Sequence, residues 1–201
     1  MTNQPLHGVL HSAGILSDGL LRSKRPDDLR RVFAPKVAGL ENLDRALAGV
    51  DLDFFALFSS IAGAMGNPGQ ADYAAANAYL DAFAQTRKSA HGAKGHTVSI
   101  AWPYWADGGM TLDKASTQKM FEASGIAPLS TRSAMLALDA ILATSLTHAL
   151  VLEGDGAKMR ALIAPDAEAS PSARSEPTVS DPGAPNKNLD REIEAFLTDE
   201  L

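Results

Sequence analysis

The chain has 201 residues, of which 45% are hydrophobic and 21% charged, a composition that supports one domain with a hydrophobic core. Its net charge of −6 argues against a surface that grips nucleic acid or an anionic membrane. The absence of cysteine excludes disulfides, thiolate metal sites and thiol nucleophiles. No segment approaches the length of a membrane span, and the first residues lack the pattern of a signal peptide. We therefore expect a cytoplasmic protein that binds neither nucleic acid nor membrane.

Strand-like and helix-like segments alternate along the first 164 residues. Short apolar runs predict strands, and apolar residues at helical spacing predict helices. In chain order we predict a strand over 6–11, a helix over 25–50 that Pro35 kinks or restarts, a strand over 53–58, a helix over 71–91, a strand over 97–101, a helix over 130–146 and a strand over 148–152. This alternation indicates βαβ units around a parallel sheet, so the predicted fold class is α/β.

The composition changes near Pro165. Residues 165–188 hold five of the chain's eleven prolines and no apolar side chain larger than Val179. Such a segment buries too little surface to offset the entropy of ordering it, so we interpret it as a flexible linker. Residues 189–201 then place five apolar residues on one helical face and predict a helix that begins a further unit: Leu189, Ile193, Phe196, Leu197 and Leu201.

A doubly wound sheet that binds a dinucleotide delivers a glycine-rich turn, GxGxxG, to the pyrophosphate after its first strand. No such sequence occurs in this chain. The run Gly66-Asn67-Pro68-Gly69 is too short and lies too late to serve. The pattern predicts the second half of such a fold, without its N-terminal cofactor-binding strands.

The most specific feature lies between residues 57 and 78. Ser60 follows a predicted buried strand at its carboxyl end, where open α/β sheets bind their ligands. Tyr73 comes thirteen residues later in the first turn of a predicted helix, and Asn77 lies one turn further on the same face. A phenol can donate a proton to a ketone oxygen at neutral pH, and a serine can hydrogen-bond the same oxygen. These residues predict a site that polarises a ketone for hydride attack.

Ser60, Tyr73 and Asn77 at this spacing resemble the short-chain dehydrogenase/reductase superfamily, specifically the ketoreductase domains of modular polyketide synthases. The superfamily pattern has lysine four residues after the tyrosine, where this chain has Asn77, and the lysine occurs instead at Lys36. That exchange is typical of polyketide ketoreductases. The resemblance covers residues 5–164 and implies a Rossmann-like, doubly wound, mostly parallel sheet.

The resemblance implies a role for each of these residues. Tyr73 would donate the proton, Ser60 would orient the ketone oxygen, and Asn77 would hold the geometry of the proton relay. Lys36 would lower the pKa of the tyrosine and contact the ribose of NADPH. If Pro35 begins a restarted helix, the lysine lies at the positive end of the helix dipole, an unfavourable position that is more easily understood at a working site.

Further cofactor contacts follow from the same resemblance in residues 7–14 and 99–105. Besides Lys36 and Tyr73, the residues implied to contact NADPH are Ala13, Gly14, Pro103 and Trp105. Trp102 and Trp105 are interpreted equally well as core aromatics or as walls of the cofactor site.

Stereochemical markers are also implied. Leu16-Ser17-Asp18 resembles the Leu-x-Asp motif of B-type ketoreductases, which give a D-configured β-hydroxyl, and Asp18 would guide the substrate. Met65 stands where A-type enzymes carry tryptophan, Pro68 fits the B-type pattern, and Met110 would also contact the substrate. The chain departs from the commonest B-type residues at the middle position of that motif and at Asp72.

The implied partners are an acyl carrier protein, which bears the β-ketoacyl group on a phosphopantetheine thioester, and other synthase domains upstream. Residues 189–201 would be the first helix of a carrier protein, with a docking helix or a solvated tail as alternatives. Residues 113–126 would form a lid over the substrate. No metal site is expected, because His7 and His11 flank the first strand without a third ligand.

Two alternatives to a β-ketoacyl reductase stay open. In the first, the chain is a non-catalytic half-domain that completes a site only with an upstream segment. In the second, it is a tyrosine-dependent dehydrogenase of a free small molecule. The position of the lysine and the carrier-like C-terminus disfavour the second.

Overall fold

Among the residues that the structure describes, four parallel strands form one sheet in the order β1-β2-β3-β4. The computed structural model describes residues 5–91, 95–108 and 113–163, all of which lie in the unit Met1–Pro165. The strands are β1 (Gly8–His11), β2 (Phe54–Ser60), β3 (His96–Trp102) and β4 (His148–Leu150). Their register pairs His11 with Leu57, Ser60 with Trp102, and Ala101 with Leu150. The predicted α/β fold with a parallel sheet is confirmed.

Helices connect each strand to the next. Between β1 and β2 lie a short 3₁₀ turn (Leu21–Ser23), α1 (Pro26–Phe33), a π-helical segment (Ala34–Ala38) and α2 (Gly39–Ala46). Between β2 and β3 lie α3 (Ile61–Met65) and α4 (Ala71–His91). Between β3 and β4 lie α5 (Lys114–Ser124) and α6 (Thr131–Leu142), and α7 (Gly156–Ile163) follows β4. None of the described helices is both long and apolar enough to cross a membrane.

Helices cover both faces of the sheet. On one face, Phe55 and Leu57 of β2 belong to a buried cluster with residues of α2 and α4. On the other face, Ala56 belongs to a second cluster with Ile100 of β3 and Leu138 of α6. Neighbouring residues of a strand point to opposite faces, so a strand covered on both sides can pack apolar side chains on both faces. This is why β2 reads as a continuous apolar run without alternation.

The structure corrects one of the two expectations at Pro35, that the helix restarts there. No helix restarts there, because a π-helical segment joins α1 to α2 and the Gly39 N–H donates to the Ala34 carbonyl. Proline has no N–H to donate, and the wider π turn absorbs the interruption without ending the helix. Lys36 therefore lies inside a continuous helical run, and the argument that it occupies a helix N-terminus was wrong.

Other predicted boundaries differ by a few residues. The helix predicted to reach residue 146 ends at Leu142, because the Thr144 hydroxyl donates to the Ile141 carbonyl at 2.7 Å and accepts the Leu146 N–H at 3.2 Å. The strand predicted to end at residue 58 continues to Ser60. The predicted linker over 165–188, the predicted helix over 189–201 and Met110 lie outside the described residues.

Candidate active site

The carboxyl end of β2 leads directly into the candidate site. Ser60 is the last residue of the strand and caps α3, its Oγ accepting the N–H of Ala62 at 3.2 Å. A Cβ added at Gly63 would lie 3.0 Å from the Cβ of Asn77, so the absence of a side chain there lets α3 approach α4. The short helix thereby places Ser60 beside the first turns of α4.

Tyr73 and Asn77 lie one turn apart on α4 and are both buried. The Nδ2 of Asn77 donates to the carbonyl of Tyr73 at 2.7 Å, and its Oδ1 is buried without a partner among the described residues. The Ser59 hydroxyl donates to the Asn77 carbonyl at 3.2 Å. The Ser59 bond joins the N-terminal part of α4 to the end of β2, and the Asn77 bond ties that residue to the preceding turn of its own helix.

Lys36 reaches the same place from the π-helical segment. Only 3% of the residue is exposed, its Nζ donates to the Phe58 carbonyl at 2.9 Å, and Nζ lies 5.8 Å from the centroid of the Tyr73 ring. Burial lowers the pKa of Lys36 to about 8, and the charge of Asp81 opposes that shift. The structure thus brings the predicted lysine to the predicted tyrosine, 37 positions along the chain from it.

The surroundings of Tyr73 keep its phenol protonated. Burial raises the pKa of Tyr73, the side chains of Ser60 and Asn77 counter that rise by hydrogen bonding, and the charge of Asp18 adds to it. A protonated phenol at neutral pH can act as a general acid. The other three residues predicted to be catalytic, Ser60, Asn77 and Lys36, therefore lie around the phenol of Tyr73 at the carboxyl end of a parallel strand.

Asp81 is a residue of this network that the sequence analysis missed. It lies one turn beyond Asn77 on α4, is 8% exposed, and accepts the Ser99 hydroxyl at 2.6 Å. The Nε2 of His148 lies 3.5 Å from the same carboxylate oxygen. The sequence held a signal for it, because Tyr73, Asn77 and Asp81 recur every four residues and so share one face of a helix.

The residues at the end of β1 fit part of the implied dinucleotide. Gly14 follows the strand, and a Cβ added there would lie 3.2 Å from the Cε of Lys36. Because Gly14 has no side chain, a ligand can approach its backbone closely. The ammonium of the neighbouring Lys36 has three N–H donors, one of which is used by the Phe58 carbonyl, so it can also donate to the hydroxyls of a ribose. Ala13 is exposed beside it. A ribose of the implied dinucleotide therefore fits these residues, whereas nothing in the sequence supplies the glycine-rich turn for the pyrophosphate.

Aromatic residues follow the neighbouring strand end. The ring centroids of Phe58 and Trp102 lie 5.4 Å apart, and those of Trp102 and Trp105 lie 5.2 Å apart. Trp102 is buried in the core cluster that contains Leu129, which favours the core interpretation for that residue. Trp105 is half-buried and Pro103 is buried.

The predicted stereochemical markers meet in two adjacent loops. The Nε2 of Gln70 donates to both carboxylate oxygens of Asp18, at 3.0 and 3.1 Å, and the Gly19 N–H donates to the Gly69 carbonyl at 2.8 Å. Met65 is 40% exposed, and Pro68 is exposed on the loop between α3 and α4. The loop that carries Asp18 therefore lies against the loop that leads into α4.

The segment predicted as a lid contains α5, which buries none of its residues. Asp113 caps it by accepting the Ser116 N–H at 2.9 Å, and Gly125 ends it with a φ of 75°. An exposed helix between a cap and a left-handed glycine is compatible with a lid.

Comparisons with known proteins agree with this geometry. Residues 1–107 match the family described as the KR domain. Polyketide synthase PksN of Bacillus subtilis (strain 168) is 42% identical over 158 residues, which are 77% of this chain and 3% of that protein. The solved ketoreductase domain from the bacillaene assembly line is 37% identical with a TM-score of 0.75, over 78% of this chain and 38% of that one. A solved structure of A-type ketoreductases from a modular polyketide synthase is 33% identical with a TM-score of 0.70, over 80% of this chain and 33% of that one.

Proposed function

Since this chain belongs to the KR domain family, the ketoreductase domains of polyketide synthases, we propose that it carries the catalytic residues of a β-ketoacyl reductase. The substrate is a β-ketoacyl thioester on the phosphopantetheine arm of an acyl carrier protein, and the product is the β-hydroxyacyl thioester. NADPH, when bound, supplies the hydride. The observation that carries the proposal is the position of Lys36, buried 5.8 Å from the ring of Tyr73.

Tyr73 and Ser60 act on the ketone oxygen. The phenol of Tyr73 is protonated at neutral pH and gives its proton to the oxygen as negative charge develops there. The Oγ of Ser60 accepts the Ala62 N–H, so its own hydroxyl hydrogen remains available to donate to the same oxygen. Two donors aimed at one oxygen stabilise the transition state more than the neutral ketone.

Lys36 acts on the phenol rather than on the ketone. Once Tyr73 has given up its proton, the ring carries negative charge, and an ammonium group close to it favours that state. The negative charge of Asp81, two turns beyond Tyr73 on the same face of α4, favours the buried ammonium, and the Phe58 carbonyl accepts a hydrogen bond from it. Asn77 fixes the turn of α4 that bears Tyr73 through its bond to the tyrosine carbonyl.

The chain needs a further segment to hold the whole cofactor. It spans 38% of the bacillaene ketoreductase and contains no GxGxxG turn. Among the described residues β1 pairs with β2 alone, and Leu10 in this strand and Leu6 just before it are 49% and 48% exposed. An unpaired apolar strand edge suits a neighbouring strand. We use the term completed domain for this chain joined to the N-terminal cofactor-binding segment of a ketoreductase.

Binding of NADPH tests this proposal. The chain by itself is expected to bind NADPH negligibly, because backbone N–H groups of the glycine-rich turn supply much of the affinity for a dinucleotide. The completed domain is expected to bind it and to reduce a β-ketoacyl thioester. Isothermal calorimetry and NADPH oxidation measure the two properties. Micromolar affinity of the isolated chain for NADPH would contradict the proposal that a further segment is needed to hold the cofactor. A completed domain that binds NADPH but reduces no β-ketoacyl thioester would contradict the proposed function.

The configuration of the product is a separate prediction, which rests on Leu16-Ser17-Asp18, Met65 and Pro68. The completed domain is expected to give the D-configured alcohol, because a fixed hydride donor attacks whichever ketone face the loop presents. Asp18→Ala is expected to erode that selectivity more than the rate, since the carboxylate guides substrate without supplying a proton. Chiral chromatography of the product measures both. Predominantly L-configured alcohol from the unmodified domain would refute the B-type assignment and leave the catalytic residues untouched.

A further inference from the structure

A buried ion pair lies between the loop of Asp18 and the helix of Tyr73. The Nζ of Lys24 contacts the Oδ2 of Asp72, and the two side chains are 4% and 1% exposed. The same ammonium donates to the backbone carbonyl of Ser17. Removing two charges from water is unfavourable unless both are well bonded. A buried pair therefore has to keep its bonding partners in place, whereas a surface pair can exchange them for water.

The second oxygen of Asp72 extends the connection to the catalytic helix. Its Oδ1 accepts the backbone N–H of Tyr73 at 2.9 Å, in the first turn of α4. The ammonium of Lys24 meanwhile holds the carbonyl of Ser17, the residue immediately before Asp18. Two side chains therefore join the backbone next to Asp18 to the backbone of Tyr73.

The other contacts between these loops are weaker anchors. Gln70 and Asp18 form an exposed side-chain pair, and such pairs compete with water. The backbone bond from Gly19 to Gly69 joins two glycines, which have the least conformational restriction of any residue. The ion pair is buried, and each of its charged groups also bonds to the backbone, Lys24 to the Ser17 carbonyl and Asp72 to the Tyr73 N–H.

We propose that Lys24 and Asp72 are positioning residues, whose buried ion pair holds the Asp18 loop in a fixed place relative to the Tyr73 phenol and thereby sets which ketone face is reduced. The inference rests on the proposed function for its chemical consequence. Its structural basis is independent of that function, because it consists of contacts within this chain. An error of about 1 Å between two groups that act on one substrate is enough to change reaction rates by large factors.

A paired substitution in the completed domain separates positioning from folding. Lys24→Met alone or Asp72→Asn alone alters one member of a buried pair, and Lys24→Met in particular leaves a carboxylate without its cation and is expected to destabilise the fold. The double variant Lys24→Met with Asp72→Asn removes both charges, while the amide oxygen can still accept the Tyr73 N–H. We expect it to fold and to reduce the substrate, but with a ratio of D to L product lowered by about tenfold. A wild-type product ratio in this double variant would overturn the proposal.

A second buried ion pair in the chain provides the matched control. The Nε of Arg87 lies 2.7 Å from the Oδ1 of Asp44, and the side chains are 4% and 8% exposed. Arg87 is fourteen residues beyond Tyr73 on α4, which places it about 20 Å further along the helix. Arg87→Met with Asp44→Asn is expected to lower the free energy of unfolding without changing the product ratio. Equal shifts of the ratio in both double variants would show general destabilisation and overturn the proposal.

Hydrogen exchange tests the ion pair without any catalysis. The Gly19 N–H is protected by its bond to the Gly69 carbonyl, so its exchange rate in this chain reports whether the two loops stay together. The Lys24→Met with Asp72→Asn variant is expected to exchange this hydrogen about tenfold faster, while the amides of β3 keep their rates. Unchanged exchange at Gly19 would overturn the proposal even if the completed domain proved active. Faster exchange at Gly19 in a completed domain that reduces nothing would support the positioning role and count against the proposed function alone.

Discussion

Tyr73→Phe is expected to lower the rate of ketone reduction by the completed domain by about 100-fold or more, which is the range for loss of a general acid. The ring stays packed in its cluster with Val32, Ala62 and Ala76, so the free energy of unfolding should change little. Only the proton donor is removed. The measurement is the steady-state oxidation of NADPH with a β-ketoacyl thioester, together with urea unfolding of the same variant.

The same helix offers a matched control. The hydroxyl of Tyr79 donates to the Oε1 of Glu41 at 2.8 Å, and burial together with this contact raises the pKa of Tyr79 to about 12. Tyr79→Phe removes one hydroxyl from α4 in the same way as Tyr73→Phe, but away from the proposed site. It should leave the rate of reduction unchanged. Near-normal reduction by Tyr73→Phe would show that the role assigned to Tyr73 is wrong, and Ser60 or a water molecule would then be the better candidate for the donor.

The elements of the fold could be predicted because their sequence patterns are local. The helix predicted over 71–91 coincides with α4, and the strand predicted over 97–101 lies within β3. The π-helical turn at Pro35 could not be predicted. The sequence shows that Pro35 lacks an N–H. Whether the helix ends there or widens depends on the bond from the Gly39 N–H to the Ala34 carbonyl and on the packing on both sides of the turn.

The candidate site divides in the same way. Ser60, Tyr73 and Asn77 follow from spacing along one strand and one helix, whereas Lys36 entered through the family resemblance alone. Contacts between distant segments leave no local pattern in the sequence. A lysine among polar residues, such as Lys24, is therefore interpreted as a surface charge. That is why the partner of Asp72, 48 positions away along the chain, was missed. The carbonyl of Phe58 has no side-chain signature at all.

Lys36→Met is expected to stabilise the folded chain at pH 7 while reducing the activity of the completed domain. Burial lowers the pKa of Lys36 from its usual 10.5 to about 8, which corresponds to about 3 kcal/mol against the charged form in the folded state. Methionine fills a similar volume without a charge. After allowance for the lost bond to the Phe58 carbonyl, we expect the free energy of unfolding at pH 7 to rise by about 1–2 kcal/mol.

The pH dependence identifies the cause of that gain. Below pH 8 the ammonium is charged in both the folded and the unfolded chain, so the full penalty of burying it is present. Between pH 8 and 10.5 the unfolded chain binds a proton that the folded chain does not, and the stability of the wild type therefore rises with pH relative to the variant. Urea unfolding of both proteins at pH 7 and pH 10 should show the difference shrinking at the higher pH. Lys119→Met, at an exposed position on α5, should change neither value by more than about 0.5 kcal/mol. A destabilised Lys36→Met at pH 7, or a difference independent of pH, would mean that the buried ammonium is fully compensated by its surroundings.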